Sequence, residues 1–114
     1  MAYKRTDKTG QLIQETLAKL IQQEVRDPRL PKIVTLSHVL VSPDLSHAKV
    51  YFTTLEGAAE GKKAAAILNH AAGYLRAQLP QFIQLRIVPR LHFIYDEALE
   101  KANQLSHLIE HLPD

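Results

Sequence analysis

Apolar residues recur along this chain with two different periods. Between Thr6 and Val25, Ile13, Leu17, Leu20, Ile21 and Val25 follow at steps of four, three, one and four. That spacing makes one apolar stripe on an α-helix. Asp7 is its expected N-cap. "RDPRLPK" stops the helix, because Pro28 and Pro31 push the residues before them out of the α region. Two runs rich in β-branched and aromatic residues follow, Val34–Val41 and Ala48–Thr54. Pro43 and Asp44 stand between them as turn formers, so the pair predicts an antiparallel hairpin.

Helical spacing returns from Glu60 or Gly61 to Leu79, with Ala65, Leu68, Ala72, Leu75 and Leu79 as the stripe. It is thinned to bare backbone at Ala71, Ala72 and Gly73, although glycine costs about 1 kcal/mol relative to alanine in a helix interior. A break is expected at Gly73. The N–H groups of the resumed helix, from Gly73 to Arg76, would then lose their intrahelical acceptors and face an anion. Small residues here serve either close approach of a sugar-phosphate backbone or tight crossing over the first helix.

Pro80 closes that helix. Leu91, Phe93 and Tyr95 alternate with Arg90, His92 and Ile94 in a third strand, which is an edge or begins after Pro89. Asp96 caps a last helix over residues 97–112, with Leu99, Ala102, Leu105 or Ser106, Ile109 and Leu112 directed inward. The pattern predicts one α+β domain over residues 1–114, with residues 1–5 mobile and the helices covering one face of a three-stranded sheet.

Composition adds limits. The chain has 114 residues, 46% hydrophobic and 6% aromatic, with neither Trp nor Cys. An aliphatic core follows, and thiolate metal sites, disulfides and cysteine nucleophiles are excluded. No apolar run approaches the ~20 residues that cross a bilayer, and no secretory h-region is present. A soluble cytoplasmic monomer is the expectation.

Charge changes the picture more. The net +2 is unevenly spread: residues 62–95 carry five Lys/Arg and no acid, while residues 96–114 carry one against five. Residues 1–32 are also basic, with seven against four. A segregated basic surface suits a polyanion. Candidate contacts are the Ala71-Ala72-Gly73 element, Arg76, Lys62, Lys63, Arg86 and Arg90, with Lys4, Arg5 and Lys8 at the N-terminus. Catalysis finds no candidate. His107 and His111 match an H-x-x-E-H spacing, but a peptidase needs a third ligand and only three residues follow. The other four histidines have no ligand spacing. No catalytic residue, metal, cofactor or small-molecule substrate is therefore expected.

The chain resembles the ribosome-binding factor A family. The resemblance rests on "EVRDPRL" (Glu24–Leu30), "VSPDLSHAKVYFT" (Val41–Thr53), the A-x-G element Ala71-Ala72-Gly73, and "LRIVPRLHFIYD" (Leu85–Asp96). It covers nearly the whole chain. It implies a type II KH-like fold, α-β-β-α-kink-α-β on a mixed sheet, with an A-x-G kink in place of the G-x-x-G loop that clamps nucleotide backbone in KH domains. It further implies a non-enzymatic assembly factor that binds the small (30S) ribosomal subunit and its 16S rRNA during late maturation, supporting 5′-end processing and growth in the cold. A protein-interaction module on the open sheet, or an RNA-binding adaptor not dedicated to the ribosome, is the alternative.

Overall fold

The computed structural model describes residues 5–99, 101, 102 and 105, with the backbone alone at residues 5 and 6. Helix α1 spans Arg5–Glu24 and is followed by strands β1 (Val34–Val41) and β2 (His47–Thr54). Helices α2 (Ala58–His70) and α3 (Ala72–Gln78) come next, then a 3₁₀ turn at Leu79–Gln81 and strand β3 (Arg90–Tyr95). Strand β2 is central: β1 pairs with it antiparallel and β3 parallel. The sheet is thus mixed, and the order is that of a type II KH-like domain.

The expected stripe on α1 forms the core. Ile13 and Leu17 are fully buried, and Leu20 and Ile21 nearly so. They meet the alternate residues of the sheet, Val50 and Phe52 in β2 and Leu91, Phe93 and Tyr95 in β3. Leu68, Leu75 and Leu79 complete the core from the helix pair, with Ala64 taking the buried place expected for Ala65. Asp7 lies inside the first turn of α1 rather than at its cap, since the helix starts at Arg5. Its charge there still suits the helix dipole.

Glycine sets how closely the helices approach the sheet. A Cβ on Gly10 would stand 2.7 Å from the Val39 carbonyl oxygen, and one on Gly61 would enter the Tyr95 ring. Helices α1 and α2 therefore lie against β1 and β3 at distances that no larger residue permits.

Ser37 forms a bulge in β1, where the register shifts between Leu36 and His38. Its hydroxyl donates to Asp96 Oδ2 at 2.9 Å. The Asp96 amide donates to the Phe52 carbonyl, and its Oδ1 accepts from the Leu99 amide at 3.0 Å. Asp96 therefore caps a helical turn, as expected, while tying β3 to β1 and β2. Residues 97–99, 101, 102 and 105 are helical. Leu99, Ala102 and Leu105 are exposed, however, not directed inward. The remainder of the expected 97–112 helix lies outside the described residues.

The hairpin turn is held by one carboxylate. Asp44 Oδ1 accepts from the hydroxyls of Ser42 and Ser46, each at 2.7 Å, and from the Ser46 amide. Those bonds, Ser46's first, hold its pKa at about 2 against the usual 3.8. A depressed folded-state pKa means that the unfolded chain binds the proton more readily. The turn's contribution is therefore complete above about pH 4 and lost as pH falls toward 2. Titrating the Asp44 side-chain resonances checks this: an apparent pKa near 4 would contradict the hydrogen-bonded turn.

Candidate nucleic-acid interface

The helix break lies at Ala71, two residues before Gly73. Ala71 is the C-cap of α2 and the N-cap of α3, with φ −85° and ψ −3°. That is the bridge edge of the helical region, open to any residue. Hydrogen bonds carry the chain across it: Ala71 N donates to Ile67 O at 3.1 Å, and Leu75 N to Ala71 O at 3.0 Å. The expected row of unpaired donors from Gly73 to Arg76 is thus not formed, because Leu75 is already bonded. Gly73 sits inside α3, not at a hinge.

What remains at Gly73 is space. A Cβ there would meet nothing within 4 Å. Tight crossing over the first helix therefore does not account for this glycine; close packing falls instead to Gly10 and Gly61, and there it is of helix on sheet. Gly73 is exposed, and Ala71 and Ala72 are half-buried. Tyr74 beside it is half-exposed, its hydroxyl 3.4 Å from Glu24 Oε2 on α1. The element presents nearly bare backbone outward.

One residue that no sequence signal marked anchors this element to the sheet. The Asn69 amide nitrogen donates to the Phe93 carbonyl at 2.9 Å, and its oxygen accepts from the Phe93 amide at 2.8 Å. The side chain thus pairs with the free edge of β3 as another strand would. A lone Asn near a helix end reads as surface; only the tertiary fold brings it to Phe93.

The cationic candidates separate into groups. Arg76 directs Nε and Nη2 to the Val88 carbonyl, at 3.2 and 3.0 Å, which fixes the segment leading into β3. Arg86 and Thr9 line one cleft of about 350 Å³ with the hairpin residues Pro43, Asp44 and Leu45. That cleft brings the start of α1, and so the exposed Lys8, to the end of the molecule where β3 begins. Lys62 and Lys63 lie near the start of α2 and are paired, with Glu97 at 3.1 Å and Glu60 at 3.4 Å. Arg90 points to the opposite face of the sheet, alternating with buried Leu91. Arg5 lies in the first turn of α1, and Lys4 lies outside the described residues.

Lys49 is an exposed cation on β2 that the segment charges concealed, because residues 33–61 are acidic as a whole. The three strands themselves contain no Asp or Glu. Among the described residues, no group of three or more His, Cys, Asp or Glu could hold a metal ion. His107 and His111 lie outside those residues. No described helix is long and apolar enough to cross a membrane.

Comparison with known proteins gives a consistent result. The family model for ribosome-binding factor A matches residues 5–109. A ribosome-binding factor A of Legionella pneumophila is 52% identical over 109 residues, covering 95% of this chain and 86% of the relative. The crystal structure of ribosome-binding factor A from Thermus thermophilus superposes with a TM-score of 0.69 at 29% identity, over 82% of this chain and 97% of that one. A homology model of the Thermus thermophilus protein, fitted into the cryo-electron-microscopy map of its complex with the 30S subunit, gives 0.64 at 27% identity. That match covers 84% of this chain and 97% of the fitted one.

Proposed function

This chain belongs to the ribosome-binding factor A family, and from that premise we propose that it binds the small ribosomal subunit and its 16S rRNA during late maturation, supporting 5′-end processing. The role is assembly by binding, without catalysis. The observation that carries the reading is the extent of the family match, residues 5–109, joined to a fold neighbour fitted into a 30S complex. The bare backbone around Gly73 and the cations Lys8 and Arg86 supply the contacts. A sugar-phosphate backbone approaches at Ala72 and Gly73, where no side chain obstructs it. The cations contribute the sequence-independent attraction.

Co-sedimentation with immature small subunits across a salt series tests this. Each phosphate contact contributes about 0.7 to 0.9 to the slope of log affinity against log salt. Replacing Lys8 and Arg86 together by alanine is expected to reduce that slope by roughly 1.5 and to weaken binding about tenfold at low salt. Binding that ignored salt, or an unaltered slope in the double variant, would remove these two residues from the interface.

Gly73→Ala separates stability from function. Alanine in the open space of α3 should raise the melting temperature by a few degrees, following a propensity gain of up to about 1 kcal/mol. The same methyl should weaken subunit binding about tenfold, by standing where the nucleic-acid backbone approaches. A more stable variant with wild-type binding would show that the kink does not touch RNA.

A further inference from the structure

The described helices cover one face of the sheet, and among the described residues the other face is open. Pleating directs His38, Lys49, Tyr51 and His92 to that outer face, together with His47 and Arg90 at its edge. Register sets His38 opposite Tyr51, Lys49 opposite His92, and His47 opposite Arg90. The rings associate in two pairs. His38 and Tyr51 stack with centroids 4.3 Å apart and planes 15° from parallel. His47 and His92 lie 5.2 Å apart at 30°, with Nδ1 of His47 3.0 Å from Nε2 of His92. Lys49 lies on the same face of β2 between His47 and Tyr51, two residues from each and directly opposite His92.

Among the described residues, the strand residues that give this face its charge are of one sign. No strand contributes a carboxylate. Asp96, 3.8 Å from His38 Nδ1, is nearly buried and already bonded to Ser37 and the Leu99 amide. Glu97 is paired with Lys62 on α2. Leu40 is the one large hydrophobic residue strongly exposed here among the described residues. A protein-docking surface needs an apolar centre, and this face has rings and cations instead. Sheets bearing exposed rings bind single strands by stacking bases on them, with neighbouring cations on the phosphates.

We infer that the outer face of the sheet is a second RNA surface, which holds a single-stranded segment by stacking bases on the His38–Tyr51 and His47–His92 rings and by contacts of Lys49 and Arg90 to its phosphates. This rests on the reading that the partner is RNA, but not on contact at the kink. It also assigns Arg90 to a different face from Arg86.

The test uses the full chain and a short fluorescein-labelled oligouridylate, followed by anisotropy and by amide chemical shifts. Expected are shift changes within residues 38–51 and 90–94. Tyr51→Ala should weaken binding roughly tenfold. Joint Lys49→Ala and Arg90→Ala replacement should reduce the salt slope by about 1.4. Lys49 and Arg90 are exposed and Tyr51 is half-buried, so a cooperative thermal transition should confirm that each variant is folded. No binding at low salt, shift changes confined to residues 69–76, or wild-type affinity in folded Tyr51→Ala would overturn the assignment. Because no ribosomal subunit is used, each of those results would leave the subunit-binding proposal standing.

Discussion

Gly61→Ala is expected to lower the melting temperature by about 8 to 16 °C, even though alanine is the better helix former. The added methyl would fall within the van der Waals radii of Tyr95 Cδ2, Cε2 and Cγ. That ring cannot withdraw easily. It is 7% exposed and packs edge-on against the fully buried Phe52, with centroids 5.8 Å apart. Overpacking of this kind costs about 3 kcal/mol, and the propensity gain of about 1 kcal/mol offsets only part of it. The net loss of about 2 kcal/mol or more corresponds to a fall of that size in a domain of about 100 residues. Thermal unfolding by circular dichroism measures it, and Gly73→Ala is the internal control, since the same exchange there should raise the midpoint. Combining Gly61→Ala with Tyr95→Leu should cost less than the sum of the two single changes, because the smaller side chain accepts the methyl. Strict additivity would mean that the clash is relieved in some other way.

That pair of glycines marks where the sequence was legible. Apolar spacing places β1 at Val34–Val41 without error and β2 to within one residue. It also identifies the buried stripe of α1, because period and burial are one physical fact read twice. The break between α2 and α3 is equally visible as a loss of side chains, but its place is not. Apart from proline, glycine has the lowest helix propensity, and so draws the expected break to itself. The backbone turns instead at Ala71, with dihedral angles that demand no special residue. Which glycine serves packing depends on what lies opposite, and neighbours distant in sequence decide that. Gly10 faces a strand carbonyl, Gly61 a tyrosine ring, and Gly73 open space.

The candidate interface was legible to a similar degree. Counting charge by segment isolates the acid-free stretch that holds α2, α3 and β3. Segments, however, mix faces. Strand alternation separates Arg90 from Arg86, ion pairing engages Lys62 and Lys63, and a backbone carbonyl occupies Arg76. Lys49 is hidden by acids that lie on either side of its strand rather than within it. A cation's availability is a tertiary property.

Asn69→Ala should cost about 2 kcal/mol and expose the edge of β3 locally before the domain unfolds. Two hydrogen bonds to one residue, Phe93, are lost together, and each such bond contributes about 1 kcal/mol net. Water can replace part of them at this edge, which is why the estimate stays below the full penalty for orphaned groups. The local signature is hydrogen exchange: the Phe93 amide should lose protection while the amides of central β2 keep theirs. Asn69→Asp sharpens the assignment, since it keeps the acceptor for the Phe93 amide but sets a carboxylate against the Phe93 carbonyl. That contact favours the protonated form, so the introduced group's folded-state pKa should lie above its unfolded value near 3.9. The folded state then holds its proton more tightly, and the lost stability should be regained as pH falls below about 5. A variant that showed the opposite trend, or exchange at Phe93 as slow as in the parent, would mean that the side chain does not substitute for a fourth strand. The kink would then be held to the sheet by packing alone, through Leu68 and Leu75 on either side of it.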